Sequence, residues 1–197
     1  MTRMFNLAGV AYLLAGGGAL AQTAPQPWKP LAATARFETG DSWLVENTRY
    51  RLYGVQACLR GTAFTNASGH KRDCGEASLA MLVGLVRDLK PMCTPVLDSS
   101  NGGPVLVTCL AFPKTGKAAG GRIDLGTALI ASGFAFAALK PDGKPVHLPY
   151  FVAELDAKRA KAGLWAFPDL PEPNAIIFKA IRDQQVRSGN NPVGVRP

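Results

Sequence analysis

The sequence offers little from which a membrane span or a zinc site could be built. Outside the N-terminus, no apolar run approaches the roughly 18 residues that a transmembrane helix requires. The four cysteines include no C-x-x-C pair, and the two histidines, His70 and His147, have no ligand spacing between them. We therefore expect neither a zinc site nor an integral membrane span in the mature chain.

Acidic residues are also scarce. The 197 residues include 14 Asp and Glu against 22 Lys and Arg, which gives a net charge of +8. A basic balance makes polyanions the default partners, such as a nucleic acid, an acidic polysaccharide or a membrane surface, although solubility alone also accounts for such a charge. With 47% hydrophobic and 18% charged residues, the chain has enough apolar material for one domain with a core.

The N-terminus is typical of a secretory signal peptide. A basic start, Met1-Thr2-Arg3, precedes an apolar stretch over 4–20, and Ala19-Leu20-Ala21 is a cleavage site of the A-x-A type. We expect cleavage after Ala21 and a periplasmic or secreted location, with an uncleaved anchor as the alternative. Residues 22–30 contain three prolines and are predicted to form a linker.

Export changes the interpretation of the four cysteines, because an even number in an oxidising compartment indicates disulfides. Four cysteines permit three pairings. Cys58 and Cys74 are 16 residues apart, and so are Cys93 and Cys109. We favour these sequential pairs, which close two short loops of equal length.

Hydrophobic periodicity indicates an α+β chain. Three strand-like segments precede a helix, and two more strands and further helices follow, which suits a five-stranded OB-type β-barrel with about three helices. The predicted strands are 31–38, 43–46, 50–55, 94–97, 105–112 and 134–138, and the predicted helices are 76–89, 124–131 and 149–162.

The helix over 124–131 is expected to be capped by Asp124 and ended by Gly133, and the helix over 149–162 to carry a Glu154–Lys158 pair and end at Gly163. Segment 59–72 is polar and predicted to be a loop. The predicted domain spans 31–168, and 169–197 is expected to be a tail with one short helix over 175–186.

Short motifs follow one another along residues 31–167 in a fixed order. They are Thr39-Gly40-Asp41-Ser42-Trp43, Tyr50-Arg51-Leu52-Tyr53-Gly54-Val55, Cys74-Gly75 with Ala77, Asp124-Leu125-Gly126 continuing to Ala135, and Tyr150, Glu154 and Ala157 before Gly163-Leu164-Trp165. The ordered set resembles the staphylococcal-nuclease-like (thermonuclease) domain family, with its patterns D-G-D-T, R-L-x-G-I-D-A-P-E, C-G-x-x-A, D-L-N and G-L-W.

The resemblance implies an OB-type barrel with three helices and, in active members, a calcium-assisted phosphodiester hydrolase. Such an enzyme uses carboxylates to hold the metal ion, a glutamate as general base on water and two arginines to stabilise charge on the phosphoryl oxygens. Exported members with two disulfides exist, and some similar proteins are named for succinoglycan (exopolysaccharide) biosynthesis.

Only part of that machinery is found when the family's positions are carried over. The first metal carboxylate falls on Asp41 and the first arginine on Arg51, and both are present. The second metal carboxylate falls on Gln56, the general base on Leu59 and the second arginine on Pro104. The resemblance therefore implies a degraded active site, in which Asp41 alone would hold calcium weakly.

These observations lead to three hypotheses. The first is an exported, non-catalytic domain that binds a polyanion or an envelope partner, with no cofactor and with the basic segment Lys114–Arg122 as candidate contacts. The second is a metal-dependent nuclease with rearranged catalytic residues, in which Glu76 or Asp98 replaces the missing base and calcium is required. The third, which rests on the naming of similar proteins, is an accessory role in exopolysaccharide biosynthesis.

Overall fold

The computed structural model describes residues 27–97, 102–114 and 119–188. The predicted signal peptide, most of the predicted linker and Asp98 lie outside these ranges. The strands are β1 (Lys29–Pro30), β2 (Arg36–Thr39), β3 (Ser42–Val45), β4 (Thr48–Leu52), β5 (Val55–Ala57), β6 (Ala63–Thr65), β7 (Lys71–Asp73), β8 (Met92–Leu97), β9 (Val105–Ala111), β10 (Ile123–Asp124) and β11 (Ala135–Ala137). The helices are α1 (Cys74–Leu89), α2 (Leu125–Ala131), α3 (Leu148–Arg159) and α4 (Pro173–Arg187), with a 3-10 turn at Gly163–Ala166.

The fold is α+β, built on a mixed sheet that curls into a half-barrel. Its strands follow the order β1-β8-β9-β4-β3-β2, and β10 also pairs with β9. All neighbours are antiparallel except β4 and β9, which run parallel with Arg51 opposite Leu106. Beyond β4 the chain turns at Tyr53–Gly54 and continues as β5, which pairs with β11 in a separate ribbon. The described residues therefore contain eleven strands, more than the six predicted segments.

The long helix α1 shows how local sequence sets an element. Asp73 caps its start by accepting a hydrogen bond from the backbone N–H of Glu76, and Lys90 ends it in a left-handed conformation just before Pro91. Leu82, at the centre of its apolar face, is fully buried. The predicted helix over 76–89 is confirmed and begins slightly earlier because Asp73 is its cap. No helix within the described ranges is long and apolar enough to cross a membrane.

Buried side chains form two clusters. The first lies between the curled sheet and helices α1 and α2, and its buried members are Trp43, Leu52, Val55, Leu82, Val107, Cys109, Leu125, Leu129, Ile130, Ala135, Ala137 and Tyr150. The second contains Cys58, Phe64, Cys74, Phe136 and Leu164. Trp165 packs on the second cluster with its ring edge-on to Phe136.

Both cysteine pairs form disulfides, Cys58–Cys74 and Cys93–Cys109, which is the pairing that the equal spacing favours. The first joins the residue after β5 to the start of α1, inside the second cluster. The second joins directly opposed residues of β8 and β9. Disulfides of this kind are typical of proteins that fold outside the reducing cytosol.

Segment 59–72 is not the loop that its polar composition predicts. It contains β6, which pairs with β7 through a turn at 66–70 in which the Asn66 side chain accepts hydrogen bonds from the N–H groups of Ser68 and His70. Burial of Phe64 ties this hairpin to the second cluster. The prediction was wrong because tertiary contacts hold the hairpin in place, namely the burial of Phe64 and the hydrogen bonds from Thr65 to the Asp169 carboxylate, and these leave no alternation in the sequence.

The ends of the domain also differ from prediction. Lys29 and Pro30, at the end of the predicted linker, form β1 and pair with β8. The predicted helix over 149–162 ends sooner, at Arg159, and the first left-handed residue after it is Lys161 with φ 51°, two residues before Gly163, whose φ is 52°. Helix α4 extends beyond the predicted 175–186 at both ends.

Candidate functional site

Asp41 lies in the tight turn between β2 and β3. Its side chain is buried, and its Oδ1 atom accepts a hydrogen bond from the Thr39 hydroxyl at 2.5 Å. The turn lies directly against α1, because a Cβ atom on Gly40 would come within 2.7 Å of the backbone of Ser78. The position of the Asp41 carboxylate is therefore fixed by both the turn and the helix behind it.

Arg51 joins two of the positions that the sequence singles out. The β3–β4 register places Arg51 opposite Ser42, beside the turn. Its Nε donates to Asp41 Oδ2 at 2.8 Å, and its Nη2 donates to Gln56 Oε1, also at 2.8 Å. The Gln56 amide in turn donates to the backbone carbonyl of Ala57. The structure thus brings Asp41, Arg51 and Gln56 together in one chain of hydrogen bonds.

The two remaining motif positions provide no catalytic group. Leu59 has an aliphatic side chain, and its backbone carbonyl accepts hydrogen bonds from the N–H and hydroxyl groups of Thr62. Pro104 immediately precedes β9, whose first residue, Val105, is opposite Tyr50. Pro104 therefore lies beside the strand that carries Arg51, yet it has neither a charged side chain nor a backbone N–H to offer.

Of the two substitute bases considered from the sequence, Glu76 is not part of this group. The Glu76 carboxylate lies 3.9 Å from the Arg60 guanidinium, in the exposed first turn of α1. Asp98 lies outside the described residues. Lys114 and Arg122, at the two ends of the predicted basic contact segment, are both exposed, whereas 115–118 fall outside the described ranges.

The side chains of Asp41, Arg51 and Gln56 do not provide the ligands that calcium requires. This ion takes 6–8 oxygen ligands, usually from several carboxylates. Asp41 is the single carboxylate of the group, and its two oxygens already accept from Thr39 and Arg51. Among the described residues there is also no cluster of three or more His, Cys, Asp or Glu side chains that could hold a metal ion. No step through calcium follows from these residues.

A groove opens next to this group, between β4–β5 and helix α4, and we call it the α4 groove. It has a volume of about 350 Å³. Its lining includes Arg51, Gln56, Leu106, Leu139, Ile177 and Phe178. Sequence reasoning assigned α4 to the tail and missed its part in the groove. The available signal was the apolar run Ile176-Ile177-Phe178, which is longer than a solvated tail helix needs.

Helix α4 is fixed at its N-terminal end by contacts on both sides. The Asn174 side-chain amide donates to the backbone carbonyl of Ala137 at 2.9 Å, at the end of β11. Glu172, which precedes the helix, accepts a hydrogen bond from Lys158 of α3 at 2.7 Å. The wall of the groove is therefore tied to the central ribbon and not only packed against it.

The other motif residues act as scaffold. Asp124 caps α2 by accepting from the N–H and hydroxyl of Thr127, and it also accepts from the Tyr150 hydroxyl at 2.7 Å. Burial, followed by the Asp124 charge and hydrogen bond, raises the pKa of Tyr150. Gly126 leaves room for the Tyr150 ring, since a Cβ atom there would collide with it. These motif positions thus hold α2 against α3.

Glu154 is half-buried and does not form the predicted pair with Lys158. Its Oε2 accepts from the backbone N–H of Ala137 at 2.7 Å, while Lys158 bonds to Glu172 and lies over the Trp165 ring. Burial raises the pKa of Glu154, and the Glu172 carboxylate raises it further, against the opposing effects of the Ala137 N–H and Lys158. The prediction was wrong because Lys158 turns outward to the start of α4.

We expect Glu154→Gln to remove a pH-dependent loss of stability. Because the pKa of Glu154 is raised on folding, the folded state holds more protons than the unfolded state above the ordinary value of 4.5. The free energy of unfolding of the wild type should therefore fall as the pH rises above 4.5 and stay lower at neutral pH. The Glu154→Gln variant should not show this fall, because the glutamine retains an acceptor for Ala137 without the charge.

Urea unfolding between pH 4 and pH 8 measures this difference. Glu46→Gln is the control, because Glu46 is exposed on the β3–β4 turn. A wild-type stability that rises with pH across the window, relative to the Glu154→Gln variant, would contradict the expectation.

No protein-family model matches the chain, and comparison with curated proteins gives no match. The fold and the site consequently rest on the geometry described above.

Proposed function

We propose that this chain is an exported, staphylococcal-nuclease-like domain of OB type that binds an anionic polymer without hydrolysing it. The proposal rests on the hydrogen-bonded residues Asp41, Arg51 and Gln56 and on the two further motif positions. The one carboxylate is held by Arg51, the position of the second metal ligand is a neutral amide, and the positions of the base and second arginine are Leu59 and Pro104.

The absence of these groups is severe for phosphodiester hydrolysis. Removing a general base lowers the rate by about 10²–10⁴, and removing one electrostatic donor by about 10²–10³. The two effects are not additive within one site, but either alone leaves little activity. Leu59 has no atom that can take a proton from water, and Pro104 has no donor to meet charge on the phosphoryl group.

The proposed fold family is supported by how the motif residues are used. The half-barrel, the parallel β4–β9 pair and the position of α1 after the first strands suit an OB-type arrangement. The residues that match the motifs away from the active site contact one another, as Asp124 and Tyr150 do. The two disulfides favour a periplasmic or secreted location.

A single-stranded oligonucleotide with a fluorescent end tests both halves of the proposal. With millimolar calcium, we expect no cleavage above that of Asp41→Ala. The intact oligonucleotide should bind, with an affinity that falls steeply as salt rises because counterions are released. The double variant Lys114→Gln and Arg122→Gln should bind with a weaker salt dependence. The magnitude of the slope of log K against log salt should fall by roughly 0.7 for each phosphate that is no longer neutralised.

Two controls sharpen the test. Lys90→Gln with Lys140→Gln removes the same charge from exposed positions elsewhere and should leave a steeper slope than the Lys114 and Arg122 changes. Gln56→Asp with Leu59→Glu and Pro104→Arg restores the missing groups and should produce calcium-dependent cleavage. Robust cleavage by the unmodified protein, abolished by Asp41→Ala, would support the rearranged-nuclease hypothesis instead. The absence of salt-dependent binding would contradict the proposal that the protein binds an anionic polymer.

A further inference from the structure

Among the residues that the structure describes, one charged group lines the α4 groove, the Arg51 guanidinium. Arg51 is 36% exposed at its side chain, whereas its partner Asp41 is 5% exposed and is not part of the lining. The cation therefore faces the groove and the carboxylate lies behind it. An anion in the groove meets the positive end of the pair.

The guanidinium is already oriented for a ligand. It carries five N–H donors, of which one on Nε is used by Asp41 and one on Nη2 by Gln56. Within the described ranges, the other three N–H donors have no protein partner and remain for water or a ligand. Because the two hydrogen bonds fix the plane of the group, a planar oxyanion can bind without further ordering of this side chain.

The rest of the lining is mostly apolar. Leu106 and Leu139 contribute from the sheet side, and Ile177 and Phe178 from α4. A volume of about 350 Å³ lies at the lower end of the range for small-molecule sites, about 300–1,000 Å³. Such a groove suits a compact ligand with an aliphatic body better than a run of hydrated polymer.

From this arrangement we propose that the α4 groove binds a small monoanion, a carboxylate with an aliphatic chain, whose head contacts Arg51 and whose chain lies against Ile177 and Phe178. A carboxylate is favoured over a phosphate because the Arg51 cation is already paired with Asp41, which disfavours a second negative charge on the ligand. This inference goes beyond the polymer-binding function and does not depend on it, because the polymer contacts are placed on Lys114 and Arg122.

Octanoate is the probe, with octanamide as its neutral analogue and octyl phosphate as the alternative anion. Titration of the full mature chain is followed by ¹H–¹⁵N NMR. Octanoate should shift the Arg51 Nε–H signal and the backbone signals of Leu106 and Ile177. Octanamide should bind about tenfold more weakly, because it lacks the charge-assisted hydrogen bond, and octyl phosphate at pH 8 should also bind more weakly than octanoate.

Adjacent isoleucines of α4 give a matched pair of variants. Ile177 lines the groove, whereas Ile176 is exposed and outside the lining. Ile177→Asp places a negative charge beside the proposed ligand and should weaken octanoate binding by about tenfold or more, while Ile176→Asp should leave it unchanged. The Asn174 side-chain signals report whether α4 stays in place in each variant.

Several results would overturn the proposal. Octanoate could leave the Arg51 signal unmoved, octanamide could bind equally well, or octyl phosphate could bind more tightly. Equal effects of the two aspartate variants would place the ligand elsewhere. If the oligonucleotide moved the Arg51 and Ile177 signals and displaced octanoate, the groove would belong to the polymer. Absence of oligonucleotide binding with octanoate binding intact would reject the polymer function alone.

Discussion

Gly133→Ala should lower the free energy of unfolding by about 2–5 kcal/mol. Gly133 follows α2 with φ 78°, and its N–H donates to Ile130 while the N–H of Phe134 donates to Leu129, the two hydrogen bonds of a Schellman cap. A Cβ atom here would collide with the carbonyl of Ala162 and lie 2.6 Å from its carbon. Left-handed strain and overpacking against backbone therefore add together.

Gly143→Ala isolates the contribution of left-handed strain. Gly143 has nearly the same φ, 79°, but no atom of the described part of the chain lies within 4 Å of the position of its Cβ. This control should show only the conformational part of the destabilisation, about 1–2 kcal/mol. Urea unfolding of both variants under oxidising conditions gives the comparison, and equal destabilisation by the two substitutions would show that the approach of Ala162 to Gly133 is not the cause.

Local signals in the sequence were enough to predict α2. Asp124 caps its start and Gly133 ends it, and both effects act within a few residues of the helix. The end of α3 could not be predicted in the same way. Lys161 takes the left-handed position there, and Gly163, itself left-handed with φ 52°, is further required because a Cβ atom would lie 2.8 Å from the Phe134 ring. That reason is tertiary and leaves no local pattern.

The candidate site also has one part that the sequence predicts and one part that depends on tertiary contacts. The resemblance singled out Asp41 and Arg51, and their contact follows from a hairpin register in which Ser42 is opposite Arg51. The α4 groove forms because α4, far along the chain from β4, packs beside β4 and β5. The hydrogen bond from Asn174 to Ala137 holds the helix there. A contact between residues so far apart in sequence cannot be derived from periodicity or from the motifs.

The motif positions fall into two sets, those with structural contacts and those that the resemblance assigns to hydrolysis. Those that hold helices together are retained, and the contacts of Asp124, Gly126 and Tyr150 give each a structural reason. Of the positions that the proposed resemblance assigns to hydrolysis, Asp41 and Arg51 match the motifs, whereas Gln56, Leu59 and Pro104 do not. This pattern is expected when the scaffold is kept for binding and the chemistry is not, and it supports the proposed absence of hydrolysis.

Removing both disulfides should leave the domain largely unfolded. Each closes a loop over a sequence separation of 16 residues, for which the loop-entropy relation gives about 3 kcal/mol. The combined effect, about 6 kcal/mol, is comparable with the total stability of many domains, about 5–15 kcal/mol. Circular dichroism and urea unfolding with and without reductant measure the effect, and intact mass should rise by two hydrogens per disulfide reduced.

The equal loop lengths make the two pairs controls for each other. Replacing Cys58 and Cys74 by Ala should lower stability by about 3 kcal/mol and by up to about 1 kcal/mol more than replacing Cys93 and Cys109, because both sulfurs of the first pair are buried whereas Cys93 is half-exposed. The first pair also joins β5 to α1 across the cluster around Phe136, while the second joins strands already hydrogen-bonded to each other. A native protein with free thiols, a Cys58–Cys109 pairing, or a larger destabilisation from the second pair would contradict this account.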